Sequence, residues 1–502
     1  MASNLRLGAL ALSRRIARRL CAAAVALVAA ATVGAFPSGA SARAGASRVQ
    51  VTATNDNLHW RLTRLRDVRF SPTEPHSAHT IEVDDTVHYQ RFDGVGGAMT
   101  DTSAWLIYDE LAPADRERLM DALFGADGIH LNFLRVPIGA SDFTVTGTPY
   151  TYDDLPAGQT DPTLAHFSIA HDLPYIVPAL REAIGRNRRL QILAETWSPP
   201  AWMKTNHALD NLHNRARLLP SAFRPFALYL ARFLTSYRHL GVRVDAITPQ
   251  NEPQAPTAFP GLNLSATDEA RFILHQLVPA LDAAGVHPKI YGFDRGALYD
   301  YAQSLATGPA REDLTGLAWH CYGGPAYIEA LHLLAPQLDE IVSECSPGLA
   351  PFEPSEAIIG SLRAWASTVG LWNLALDPAG GPVQQPNRGC PACTGIVTVD
   401  EQTHVVTYGL NYYQLGQVSK FVLPGAVRIA SNTFVTNFRT PDGVYGATPG
   451  LDDVAFRNPD GSTALVAYNS SASRVGFAVT ADGRSFRYSL PPRTTATFVW
   501  RG

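Results

Sequence analysis

The sequence predicts an α/β fold, a (β/α)8 TIM barrel with an appended all-β sandwich domain. Two observations point there. Between about residues 92 and 376 one phrase recurs eight times: a short β-branched or apolar run, a polar turn, then a helical stretch. Past about Ser419 the pattern changes to short strands joined by Asp-Gly turns. Strand–helix alternation implies a parallel sheet buried on both faces. Eight such units in roughly 300 residues fit a closed barrel better than a doubly wound open sheet.

The first segment is not part of the fold. Arg14, Arg15, Arg18 and Arg19 form a basic n-region, Cys21 to Phe36 an apolar h-region, and Ala40-Ser41-Ala42 a small-residue cleavage site. Residues 1–42 therefore read as a signal peptide, and the mature protein is expected to be secreted. The alternative, a membrane anchor, asks for a longer apolar run than these alanine-rich residues supply. Cleavage removes five of the 41 basic side chains, leaving 36 against 45 acids and a net charge near −9. That balance argues against nucleic acid as a partner. No integral membrane span is expected in the mature chain, and no cofactor is implied.

Residues 43–90, with "VQVTATNDNLHWRLTRLRDVRF", read as N-terminal strands that join the C-terminal sandwich. The barrel is expected over 91–418. Its runs are "RFDGVGGAMT", "HLNFLRVPIG", "LQILAETWSP", "VDAITPQNEP", "HPKIYGFDR", "LTGLAWHCYG", "LDEIVSECSP" and "TVGLWNLAL". Between them, "APADRERLMDALF", "LPYIVPALREAIG" and "SAFRPFALYLARFLTSYRHL" carry apolar residues at helical spacing. Residues 419–502 form the β-sandwich, with Asp-Gly turns in "NPDGST" and "TADGRS".

Functional residues of a parallel barrel come from the C-terminal ends of its strands. There the runs place Arg135 and Asp142, Glu195 and Trp197, Asn251 and Glu252, Asp294, His320 and Tyr322, Glu344, and Trp372. One rim thus gathers acids, an amide, an imidazole, a guanidinium and aromatic faces. Cleaving an acetal needs a carboxylic acid for the leaving oxygen and a carboxylate for the oxocarbenium-like carbon. Glu252, held between Asn251 and Pro253, and Glu344, after "EIVS", are the two candidates. Trp197, Trp202, Trp319, Tyr322 and Trp372 are candidates for a sugar-stacking platform, with core packing as the alternative for each tryptophan. Arg135 either contacts one of the pair or neutralises another buried acid, and Glu195 and Asp294 read as rim or supporting groups. Of the four cysteines after the leader, Cys390 and Cys393 are expected to form a local disulfide. There is no second CxxC or histidine pair at zinc spacing, so no metal is expected. Cys321 and Cys345 remain open between a disulfide and two buried thiols.

The motifs "FDGVGGAMTD", "LRVPIGASDFT", "ILAETWSPPAWMKTN", "ITPQNEP", "GLAWHCYGG", "IVSEC" and "WNLALDPAGGP" occur in order, followed by "YYQLGQVSKFVLPGAVRI". From about Arg91 to the C-terminus the chain resembles glycoside hydrolase family 30, nearest its glucosylceramidase-type branch. The resemblance implies a retaining mechanism, with Glu252 as general acid/base and Glu344 as nucleophile. Asn251 would bind the sugar 2-hydroxyl, and Asp142, Trp197 and Trp372 would hold the glucose hydroxyls. His320 and Tyr322 would line the site beside the nucleophile, with Arg135 beneath it. A β-glucoside is the expected substrate, with glucosylceramide leading. A β-1,6-glucan cut by an endo-glucanase, a β-xyloside, and a non-catalytic carbohydrate-binding barrel are the alternatives. Glu252 is expected to be held protonated by the charge of Glu344. Glu195 and Phe259 depart from the family's pattern, and both are expected on the rim.

Overall fold

The computed structural model describes residues 48–72, 77–346, 354–385, 390, 392–434, 437–439, 445–447 and 450–502. The expected signal peptide, residues 1–42, lies outside them. Eight parallel strands close into a barrel: β1 Gly94–Ala98, β2 Phe133–Ile138, β3 Gln191–Thr196, β4 Ala246–Thr248, β5 Lys289–Arg295, β6 Gly316–His320, β7 Asp339–Glu344 and β8 Ala366–Leu371. Each neighbouring pair is parallel, and β8 closes on β1. Glycine allows two close approaches. A Cβ on Gly96 would lie 1.8 Å from the Phe133 carbonyl oxygen, and one on Gly316 would lie 1.9 Å from that of Asp339.

The helices of the outer layer follow their apolar spacing. Pro113–Phe124 starts with proline in its first turn, where a missing N–H costs nothing, and buries Leu119, Met120, Leu123 and Phe124. Ile176–Arg186 and Phe223–His239 bury one stripe each in the same way.

The sandwich has one large and one small sheet. In the large sheet Arg48–Asn55 pairs antiparallel with Thr494–Arg501, and the order continues through Ser462–Asn469, Leu451–Arg457 and Val427–Ala430 to Asp84–Arg91. The small sheet holds Arg484–Leu490, Val475–Ala481 and Thr80–Glu82. Ser462–Asn469 is buried at every position because both faces of the large sheet are covered. Alternation sorts its residues: Ala464, Val466 and Tyr468 join the barrel's outer core, while Leu465 and Ala467 join the sandwich core. The helix Leu410–Ser419 ties the two together, with Gln417 Nε2 donating to Thr54 Oγ1 at 2.9 Å and Thr497 Oγ1 donating to the Gln417 carbonyl at 2.7 Å. Among the described residues no helix is long and apolar enough to cross a membrane.

Candidate active site

Strand period dictates what the barrel interior holds. An inner layer of Phe133, Leu193, Ala246, Tyr291, Ala318 and Ile341 plugs the barrel. Two residues further along five of those strands stand Arg135, Glu195, Thr248, His320 and Ser343, all buried. The second layer is thus polar, above an apolar plug. In β5 the pairing with β6 shifts between Gly292 and Arg295. Phe293 joins the outer core, and Asp294 turns inward instead.

Arg135 is the hub of this layer. Its Nη1 donates to Glu344 Oε2 at 2.6 Å, and its Nη2 donates to Asn251 Oδ1 at 2.7 Å and Asp294 Oδ2 at 2.9 Å. Both possibilities left open by the sequence therefore hold: Arg135 contacts Glu344 and also neutralises a buried acid. Burial works against its charge, but Asp294, Glu195 and Glu344 outweigh burial and hold its pKa above the ordinary value. Asp294 also accepts from Thr248 Oγ1 at 2.7 Å and Ser343 Oγ at 2.5 Å. Neither hydroxyl stood out in the sequence, yet each lies two residues beyond an inner-layer position, a signal that alternation alone supplies.

Above this hub the two glutamates converge. One carboxylate oxygen each from Glu252 and Glu344, and one ring nitrogen of His320, all lie within 4.8 Å of one another. His320 Nδ1 bonds Glu252 Oε1 at 3.2 Å and lies 3.3 Å from Glu344 Oε1. The Tyr322 hydroxyl donates to Glu344 Oε1 at 3.0 Å. Three such donors could in principle hold a cation, but the Arg135 guanidinium already occupies the Glu344 carboxylate and would repel one. The side chain of Glu252 is 26% exposed and that of Glu344 7%, so Glu252 faces the opening and Glu344 the floor.

The expected elevation of Glu252 is not found. Burial does raise it, but the hydrogen bond and charge of His320, followed by Arg295 and Arg135, bring it below the ordinary value. Burial depresses His320, and the charge of Glu344, the 3.3 Å contact with Asp294 and the bond to Glu252 override that, pushing it up to about 10. In the hydrogen bond between them the proton is therefore drawn to the His320 side and away from Glu252.

The backbone at the opening is held in the left-handed region at Glu252 (φ 44°), Asp294 (φ 43°) and Asn373 (φ 71°). Non-glycine residues persist there only when their surroundings dictate it. The Glu252 N–H donates to the Asp294 carbonyl at 3.0 Å, and Asn251 N–H to that of Thr196 at 2.6 Å. Thr100 Oγ1 donates to Asn373 Oδ1 at 2.9 Å.

Trp197 and Trp372 stack with ring centroids 5.3 Å apart, and Phe143 and Phe259 pack on this pair. Asp142 is buried beside them, and its Oδ1 has no hydrogen-bond partner among the described residues. Burial, then the charges of Glu344 and Glu252, push its carboxyl well above the usual range. The remaining tryptophans belong elsewhere. The Trp202 indole N–H donates to Asp153 Oδ2 at 2.9 Å, and that of Trp319, in the outer core, to Glu340 Oε2 at 2.5 Å. Both are packing residues. Glu195 is not on the rim either. It lies fully buried under Trp197, accepting from the indole N–H at 3.1 Å, and 3.6 Å from Arg135 Nη1. Phe259 is half-buried against Trp197.

Two disulfides frame the site. Cys321–Cys345 joins the residues immediately after His320 and Glu344, and Cys390–Cys393 packs beside Trp372.

The sequence model of the glycosyl hydrolase family 30 TIM-barrel domain matches residues 92–422, and that of the family 30 beta sandwich domain matches residues 425–498. An endo-1,6-beta-D-glucanase of Trichoderma harzianum is 28% identical over 484 residues, 93% of this chain and 96% of that protein. The lysosomal acid glucosylceramidase of Mus musculus is 29% identical over 442 residues, 82% of each chain. The solved structure of the endo-beta-1,6-glucanase BT3312 superposes with a TM-score of 0.78 at 28% identity, covering 90% of this chain and 99% of that one. A closed parallel barrel carrying convergent carboxylates, followed by a β-sandwich, and matched by both domain models in order, makes this chain a member of glycosyl hydrolase family 30.

Proposed function

We propose that the chain is an exported, retaining endo-β-1,6-glucanase in which Glu344 is the nucleophile and Glu252 the general acid/base. The observation that carries the reaction class is the pair of carboxylates within 4.8 Å. Retention needs a separation of about 5–5.5 Å, whereas inversion needs about 6.5–9.5 Å to admit a water. In the first step a Glu344 oxygen bonds to the anomeric carbon while the glycosidic C–O bond breaks. The leaving oxygen takes the proton of the His320–Glu252 pair. In the second step Glu252 removes a proton from water, whose oxygen attacks the anomeric carbon and frees Glu344. Arg135 and Tyr322 donate to the two oxygens of Glu344 and hold its carboxylate in place. With Asn251 Oδ1 taken by Arg135, its amide nitrogen is the group left for the sugar 2-hydroxyl. The unpartnered Asp142 oxygen and the Trp197–Trp372 stack complete a pocket for one glucose unit.

The substrate rests on the aglycone side. The endo-1,6-glucanase relatives align over 84–96% of their own length, against 82% for the mouse glucosylceramidase. The large exposed apolar side chains among the described residues are Val87, Leu173, Leu212, Leu333, Leu334 and Val405, scattered over separate segments except for one adjacent pair. Ceramide tails would favour a contiguous apolar patch; a glucan needs none. Glucosylceramide, the substrate the sequence favoured, therefore comes second. A linear β-1,6-glucan, a chromogenic β-glucoside and a fluorescent glucosylceramide assayed side by side test this. Release of short β-1,6-linked oligomers is expected, and turnover of the glycolipid with the polymer left intact would overturn the proposal.

A further inference from the structure

A second concave site lies at the opposite end of the barrel. Asp93 directly precedes β1, Gln191 opens β3, Asp245 precedes β4 and Lys289 opens β5, and all four line one cavity of about 950 Å³. Because the strands are parallel, these positions share the N-terminal end, away from Glu252 and Glu344. The cations around the cavity are Arg91, Arg188, Arg189, Arg238, Arg243 and Lys289. Two carboxylates offset them: Asp93 pairs with Lys289 at 3.3 Å, and Asp245 pairs with Arg243. Six cations against two carboxylates leave the cavity four positive charges on a chain whose net charge is −4. Arg188 and Arg189 have no side-chain hydrogen bond or ion pair among the described residues. The floor is apolar, made by the buried Leu190, Leu234 and Val286.

We infer that this basin binds an acidic oligosaccharide, a chain of sugars bearing carboxylates, at a site separate from the catalytic mouth. Four features lead there. Guanidinium forks match carboxylates bidentately, and those of Arg188 and Arg189 are not committed to another side chain among the described residues. The volume sits at the upper end of the range for ligand pockets, about 300–1,000 Å³, and is far larger than one inorganic anion needs. The apolar floor suits the C–H faces of sugar rings. A concave basin with its apolar groups at the bottom also suits a chain better than a flat bilayer, which would touch only the rim. Such a site would hold the enzyme on an acidic glycan matrix and leave the opposite, catalytic end free. The inference stands independently of which neutral glucan is hydrolysed.

The test is calorimetry and affinity electrophoresis of the full mature chain with oligogalacturonate, a neutral β-1,6-gluco-oligosaccharide, inorganic phosphate and phosphatidylserine vesicles. Oligogalacturonate is expected to bind, with affinity falling as salt rises. Arg188→Ala with Arg189→Ala should weaken that binding at least tenfold, and Arg188→Lys with Arg189→Lys should retain part of it. Thermal melts should be unchanged in both, which establishes that they fold; Arg91→Ala provides an independent second variant. Unchanged oligogalacturonate binding in the alanine variants overturns the inference. So does phosphate binding as tightly as the oligomer, and so does binding to vesicles alone, which would make the basin a lipid-headgroup site.

Discussion

Glu195→Gln is the substitution whose effect follows most directly from the buried layer. Burial pushes the Glu195 carboxyl from 4.5 up to about 8, against the pull of Arg135. Its Oε1 accepts from the Trp197 indole, and its Oε2 has no partner among the described residues. Between those two pH values the folded chain keeps a proton that the unfolded chain has lost. The carboxyl's contribution is therefore fully present below about pH 4.5 and is lost as pH rises through about 8. One pKa unit is worth about 1.4 kcal/mol, so three to four units set a ceiling of about 5 kcal/mol; coupling to Arg135 and local relaxation reduce that to about 2 kcal/mol. Glutamine keeps the shape and the indole bond and does not titrate. The variant should match the parent at pH 4 and exceed it at pH 8 by about 2–4 °C in Tm, since about 1 kcal/mol moves a large domain by a few degrees at most. Thermal melts of both proteins at pH 4, 6 and 8 measure this. An equal Tm difference at every pH, or a variant less stable at pH 8, would falsify the placement of a neutral Glu195 under Trp197.

Three further outcomes follow from the same geometry. Glu344→Gly should abolish turnover, and added azide should restore part of it as the α-glycosyl azide, identifiable by proton NMR; a β-configured product would contradict the nucleophile assignment. Glu252→Ala should lose far more kcat/KM on substrates with poor leaving groups than on activated aryl glucosides, and equal losses on both would remove the acid/base role. Cys321→Ser with Cys345→Ser opens a loop with a sequence separation of 24 residues. Chain entropy predicts a loss of about 3 kcal/mol. Because the bond joins the residues after His320 and Glu344, kcat should fall as well; melts together with kinetics on a chromogenic glucoside decide this, and an unchanged kcat would show that β6 and β7 stay aligned without the disulfide.

Much of this protein was legible along the chain because parallel barrels impose local rules. Short buried strands, amphipathic helices and polar strand ends repeat at fixed intervals, so the barrel, the trailing sandwich and the positions of Glu252 and Glu344 followed from periodicity and motif. Alternation could have gone one step further, since Arg135, Glu195, Thr248, His320 and Ser343 each stand two residues past an inner-layer side chain. Tertiary structure alone decided the rest. The register shift that turns Asp294 inward is a property of two paired strands and leaves no mark on one. Whether a tryptophan joins the stacked pair beside the carboxylates or fills the core depended on tertiary packing, which separated Trp197 and Trp372, just past their strands, from Trp202, on a short 3-10 turn, and Trp319, within β6. The protonation of Glu252 depended on His320, 68 residues away, at 3.2 Å. The sequence showed which charged groups the barrel carries. Only the closed barrel set the distances at which they share protons, because a Coulomb interaction inside a protein depends on separation and burial, and neither can be read from order along a chain.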